Sequence, residues 1–320
     1  MKEINCNLCG QNNTKLIFKS RDRRVNTKDK TLFSIVQCKN CGLIYVNPQP
    51  SYEELKEFYG ENYFGIQNSN ISGRSRIFKF LQLIKNKTLG SNSLPNSKFY
   101  RYKNKIFQQT NGKFLDVGCA TGVQNIPLMK EFSQWKFYGV EPDEVAFKEA
   151  LKIENFLIQK GFLDDAHYPD KFFDVILLNQ VLEHTSNPKQ VLRECHRILK
   201  NDGKLIIAVP NLNSLSSKIF CRFWYHSDLP RHLYHFDPST LQGLTEELSF
   251  RTEIIEQEVL AGTLKSVFVL FNIKPDKFDN NVLFLIFKNI TEYIRKILNP
   301  LLEKLRLASG LYIVLSKGYI

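Results

Sequence analysis

The sequence has no apolar run long enough to cross a bilayer, since none reaches the roughly 18 uncharged apolar residues that a span requires. Its first residues, Met1-Lys2-Glu3-Ile4-Asn5, lack the apolar h-region of a secretory leader. A reducing cytoplasm is therefore the expected compartment. No internal repeat is present, and no G-x-G-x-x-G opens directly after a strand-like run, which argues against a dinucleotide dehydrogenase. Acidic residues are the minority charge: 32 Asp and Glu stand against 44 Lys and Arg, for a net charge of +12. The excess lies in residues 1–113 and 261–320, while 114–260 is acidic. Basic flanks of this kind face phosphate-bearing substrates, anionic lipid or nucleic acid, or are simply solvated surface. With 43% hydrophobic and 24% charged residues, the 320-residue chain is expected to form one large domain with appendages, or two domains.

Four of the seven cysteines fall in two matching units, Cys6-Asn7-Leu8-Cys9-Gly10 and Cys38-Lys39-Asn40-Cys41-Gly42. Each C-x-x-C-G brings two thiolates to one point, and four thiolates make a closed structural zinc site. A redox pair fits less well, because neither unit sits between a strand and a helix. The spacer between the units predicts a β-hairpin with a basic tip at Arg21-Asp22-Arg23-Arg24. Beyond it, Ser51 is placed to cap a helix over 52–59, with Glu53 and Glu54 in the first turn.

Residues 113–122, Lys-Phe-Leu-Asp-Val-Gly-Cys-Ala-Thr-Gly, organise the remainder of the chain. Phe114, Leu115 and Val117 read as a buried parallel strand, Asp116 lies near its end, and Gly118 and Gly122 bracket a tight loop before a helix. Such a strand, loop and helix start form a ligand cradle at the carboxyl edge of a sheet. One helix length later, Phe137-Tyr138-Gly139-Val140-Glu141-Pro142-Asp143 ends a second strand in an acid. A carboxylate there can accept from two neighbouring ribose hydroxyls. A third strand, 172–178, leads into Asn179-Gln180-Val181-Leu182-Glu183-His184.

In order and spacing, these three motifs resemble class I S-adenosylmethionine-dependent methyltransferases. The resemblance implies an α/β, Rossmann-like, doubly wound and mostly parallel sheet. Strands are expected near 113–117, 136–141, 156–159, 172–178, 203–209, 250–260 and 311–317, and helices near 122–132, 143–153 and 188–199. It implies S-adenosylmethionine contacts from Asp116, Gly118, Cys119, Gly122, Glu141, Pro142, Asn179 and Gln180. Phe162 and Leu163 would sandwich the adenine, with Asp164 accepting from its amino group. Asn179-Gln180 stands where methyltransferases acting on amino groups of bases or amides carry N-P-P-[YF]. Leu182-Glu183-His184 instead resembles the branch acting on small molecules, quinone and sugar enzymes among them. His184 is either a general base or a helix anchor.

The cysteine element, followed by 43–50, resembles the N-terminal zinc element of bacterial methyltransferases that modify sugars or surface polysaccharides. The segment Leu229–Pro238 resembles a stretch of the same enzymes; its Arg231, His232, Tyr234 and His235 suit recognition or deprotonation of a hydroxylated acceptor, with or without phosphate, and the alternative is a structural loop anchoring the next helix through Asp237. The expected organisation is a zinc ribbon over 1–50, a helical connector or lid over 51–112, and the cofactor-binding domain over 113–320 with a hydrophobic helical insertion at about 262–308. Tyr63 and Phe64 are candidates to reach over the cofactor. Segment 264–306 packs on the sheet or a second subunit, or lies at the inner membrane face as an interfacial helix. The expected activity is methyl transfer to a sugar or glycan intermediate. The alternatives are an RNA methyltransferase gripping phosphates through the basic ribbon, and a non-catalytic binding protein of the same fold.

Overall fold

The computed structural model describes residues 1–23, 29–59, 98–260, 265–271 and 297–318. Arg24, Tyr63, Phe64, residues 60–97 of the expected connector and residues 272–296 of the expected insertion lie outside these residues. No described helix is long and apolar enough to cross a membrane.

The larger sheet is built from β-rich runs separated by amphipathic helices. In chain order its strands are β4 (Lys113–Val117), β5 (Lys136–Glu141), β6 (Phe156–Lys160), β7 (Phe173–Asn179), β8 (Leu199–Pro210), β10 (Phe250–Glu258) and β11 (Gly310–Lys317). They stand in the order β10-β11-β8-β7-β4-β5-β6, parallel throughout except for β11, which runs antiparallel to both β8 and β10. This is the expected doubly wound sheet. From β4 the chain winds outward through β5 and β6, then returns to β7 on the other side. The carboxyl ends of β4 and β7 therefore form the crevice where such sheets bind ligands.

Both faces of the sheet's centre are covered, so β4, β7 and β11 are buried at nearly every position, whereas the edge strands β6 and β10 carry exposed residues. Alternation along β4 sends Phe114 to one core, with Phe137, Val175 and Tyr312, and sends Leu115 and Val117 to the other, with Ile176, Leu178 and Ile207. The first core is roofed by α2 (Lys98–Ile106) through Phe99 and Ile106, and by Phe107, which stacks on Phe132. The second is roofed by α5 (Pro188–Ile198) through Leu192, Cys195 and Ile198, and by α7 (Pro238–Glu246) through Leu241 and Leu244. Each such side chain contributes on the order of 1.5–3 kcal/mol by leaving water.

The N-terminal element is a second sheet of β1 (Thr14–Ser20), β2 (Phe33–Cys38), β3 (Ile44–Val46) and β9 (Tyr234–His235). β1 and β2 form the expected hairpin. The fourth strand was not foreseen: it comes from the segment after β8 and pairs Ile44 with His235 and Tyr45 with Tyr234. Phe33, Ile35, Tyr45 and Val46 consequently share one core with Leu115 and Ile207. After β3, Ser51 caps α1 (Tyr52–Lys56) with a reciprocal capping box to Glu54.

Candidate active site

The first half of the site is the loop after β4. Gly118, Ala120 and Gly122 have φ of 65°, 50° and 70°. A Cβ at Gly118 would lie 2.7 Å from Val181, and one at Gly122 would lie 2.8 Å from Phe156, so the loop can close only with glycine at those two points. Glu141, 3% exposed, holds the loop in place: Ala120 N–H donates to Oε2 and Asp143 N–H to Oε1, both at 2.8 Å. Each oxygen keeps a second lone pair for a ligand hydroxyl. Burial pushes the Glu141 carboxyl up to about 7, against the pull of the Asp143 and Ala120 amides.

Asp116 is fully buried, and burial raises its pKa to about 6 while bonds from Asn125 and Gln124 oppose the rise. Its Oδ1 and the Nε2 of Gln180 are buried without a hydrogen-bond partner. Unpaired buried polar atoms beside a glycine cradle are what a polar ligand would satisfy, so these residues fit S-adenosylmethionine. Asn179 and Gln180 are half-buried at the end of β7, and Pro142 is half-buried after Glu141. The Cys119 side chain turns into the core, leaving only its backbone toward the crevice. Phe162 is half exposed and meets Tyr52 edge-on at 5.0 Å, whereas Leu163 is buried in the core. The two therefore do not form matching walls of a sandwich. Asp164 accepts from the Gln190 side chain.

The second half is built by the segments after β7 and β8. His184 Nδ1 lies 3.1 Å from the Arg231 carbonyl and 3.2 Å from the Tyr59 hydroxyl. Donation of Nδ1–H to that carbonyl puts the imidazole lone pair on Nε2, the tautomer a general base needs. His232 stands perpendicular to His184 with ring centroids 4.5 Å apart, and its Nδ1 lies 2.9 Å from the His226 carbonyl. Beneath them, Glu183 is fully buried with neither carboxylate oxygen hydrogen-bonded, and burial pushes its pKa up to about 8. Glu183, His184 and His232 offer donor atoms within 4.8 Å of one another, a set able to shuttle a proton or take a divalent cation.

The other candidates of this segment lie elsewhere. Tyr234 is fully buried in β9, where it stacks on Tyr45 and donates to the Ser186 carbonyl at 3.1 Å. His235, the next strand residue, is 6% exposed, and burial lowers its pKa to about 4. Both sit in the joint between the sheets. Arg231, expected to meet the acceptor, is fully buried. Its guanidinium binds Asp22 through two 3.0 Å contacts, Asp228 at 2.6 and 3.0 Å, and the Phe58 carbonyl at 2.7 Å. Asp22, expected at a solvated hairpin tip, is 1% exposed for the same reason. Sequence reasoning missed Tyr59, Asp22 and Asp228. Only Tyr59 left a signal, as an aromatic closing the Ser51-capped segment.

In the N-terminal sheet, Cys6, Cys9, Cys38 and Cys41 place their sulfurs within 4.8 Å of one another, with Cys6–Cys41 at 3.4 Å and Cys9–Cys38 at 3.5 Å. A tetrahedral zinc with bonds of about 2.3 Å sets sulfurs roughly 3.8 Å apart, so the donor set fits the ion.

Fold and crevice together have the arrangement of class I methyltransferase domains, with an acid-clamped glycine loop after β4 and a histidine pair after β7 and β8. Residues 96–253 match the family described as a methyltransferase domain. An uncharacterized protein of Methanocaldococcus jannaschii is 33% identical over 113 residues, covering 34% of this chain and 50% of that protein. The ubiquinone biosynthesis O-methyltransferase of Yersinia enterocolitica is 31% identical over 119 residues, 35% of this chain and 49% of the relative. The chain thus spans about half the length of the curated relatives it matches. A solved S-adenosylmethionine-dependent methyltransferase from Archaeoglobus fulgidus is 25% identical with a TM-score of 0.47, covering 74% of this chain and all of that one.

Proposed function

We propose that the protein transfers a methyl group from S-adenosylmethionine to a hydroxyl of a small molecule, sugar or surface-glycan intermediate. The observation that carries this reading is that the Glu141-clamped loop and the His184–His232 pair open at the same carboxyl edge of the sheet. Glu141 would receive the ribose hydroxyls, the loop 118–122 the amino-acid portion, and Asn179 and Gln180 the edge of the adenosine. Bound there, the cofactor supplies a methyl group already activated on a sulfonium. The chain's own residues orient the acceptor and remove its proton. With Nδ1–H held by the Arg231 carbonyl, His184 takes that proton on Nε2, and His232 sets the ring's orientation. A hydroxyl acceptor is favoured because matched relatives carry the name O-methyltransferase. A glycan acceptor rests on the likeness of the cysteine element to that of sugar-modifying enzymes. The four cysteines would hold one structural zinc. Labelled methyl transfer from S-adenosylmethionine, screened over nucleotide sugars, glycolipid extracts and RNA, tests the reading. Incorporation into sugar-bearing acceptors, diminished in His184→Gln, supports it. Incorporation only into RNA would replace it with the RNA reading, and absence of cofactor binding would leave a scaffold.

A further inference from the structure

Outside the crevice, one pocket gathers three arginines. Arg21 and Arg23 from the end of the β1 strand, and Arg222 from the segment after β8, line it together with Ser20, Trp224, Tyr225 and Leu229. The two carboxylates nearby are already engaged, since Asp22 and Asp228 both bind the buried Arg231. Among the described residues none of the three arginines has a carboxylate partner. Instead Arg23 and Arg222 share one aromatic ring, lying 4.7 and 5.0 Å from the Phe223 centroid, and Arg23 Nε donates to Ser20 at 3.2 Å. Burial first, then the like charges of Arg21 and Arg222, hold the Arg23 pKa below its ordinary value. Three guanidiniums lining one pocket leave a positive field that an anion relieves. The planar forks of arginine match phosphate oxygens.

The pocket also adjoins the histidines. Asp228 lines it, and the other face of that carboxylate lies 3.8 Å from His232 Nε2, next to His184. We propose that Arg21, Arg23 and Arg222 form a subsite for a phosphate or diphosphate group of the methyl acceptor. This rests on the acceptor-side reading above and narrows it to phosphorylated substrates. The subsite spans both sheets, with two arginines from the N-terminal hairpin and one from the methyltransferase domain. The hairpin thereby has a role in substrate choice beyond carrying metal.

Calorimetric titration of the full chain with inorganic pyrophosphate tests it, using the wild type and the Arg23→Ala/Arg222→Ala double variant. The expected result is saturable binding that weakens as salt rises and falls at least about tenfold in the double variant. S-adenosylmethionine titration of the same two proteins should give one affinity, showing that the variant is folded. Pyrophosphate affinity equal in both proteins would overturn the subsite. So would arginine-dependent sedimentation with phosphatidylglycerol vesicles in the absence of pyrophosphate binding, which would make the ligand a lipid headgroup. If the wild type binds pyrophosphate but not S-adenosylmethionine, the anion site stands and the methyltransferase reading fails.

Discussion

Replacing Arg231 with methionine should be among the most damaging single changes outside the crevice. The methionine occupies similar volume, so packing is largely kept, and the loss is electrostatic. Asp22 and Asp228, 1% and 3% exposed, would each lose the guanidinium that they share. The Phe58 carbonyl would lose its 2.7 Å donor. Removing one partner from a buried ion pair costs about 3–5 kcal/mol, because the remaining charge is uncompensated. Here two buried carboxylates lose that partner at once, so the upper part of that range is expected, against a total stability of about 5–15 kcal/mol. Urea unfolding followed by tryptophan fluorescence measures it. With a slope near 3 kcal/mol/M, the midpoint should fall by about 1–2 M. Adding Asp22→Asn should cost much less in the Arg231→Met background than in the wild type, since the two residues act as a unit. A midpoint shift below about 0.3 M, or additive single effects, would mean that the network is solvated and does not tie the hairpin to the β8–β9 segment.

Metal analysis should find about one zinc per chain, and Cys38→Ser should release it and loosen residues 1–50; protein purified without chelator and free of zinc would refute the site. Because β9 belongs to the cysteine-bearing sheet, the same variant should lose methyl transfer while retaining cofactor affinity. His235 contributes a pH dependence of known sign: buried and neutral, with its pKa lowered to about 4, it binds fewer protons folded than unfolded. Stability is therefore full above about pH 6.5 and declines toward pH 4, by up to about 3 kcal/mol from this group, and His235→Phe should flatten that decline in acid unfolding curves. His184→Gln should lower turnover of an identified hydroxyl acceptor by about 10²–10⁴-fold with cofactor affinity unchanged; wild-type turnover would reduce His184 to an anchor.

The sheet was legible from sequence because its signals are local. Strands 113–117 and 136–141 announce themselves as apolar runs ending at a glycine or an acid, and their periodicity fixes both faces. The cysteine knuckles and the Ser51 cap were legible for the same reason. What could not be read depends on distant pairing. Arg231 reads as an acceptor-binding group and Asp22 as part of a basic hairpin tip, and only the fold brings them together across 209 positions. Tyr234 and His235 look like acceptor-facing polar groups until β9 is seen to extend the N-terminal sheet. Phe162 and Leu163 are adjacent in sequence, yet one faces solvent and the other the core.

S-adenosylmethionine is expected to bind at the carboxyl edge of β4 and β5, with its ribose on Glu141. Isothermal titration of the wild type and Glu141→Ala tests it most directly. Saturable one-to-one binding is expected in the wild type, weaker by roughly 1.5–3 kcal/mol in the variant, which loses a charged acceptor and the clamp on Ala120. Equal affinity in the two proteins, or no binding to the wild type, would contradict it.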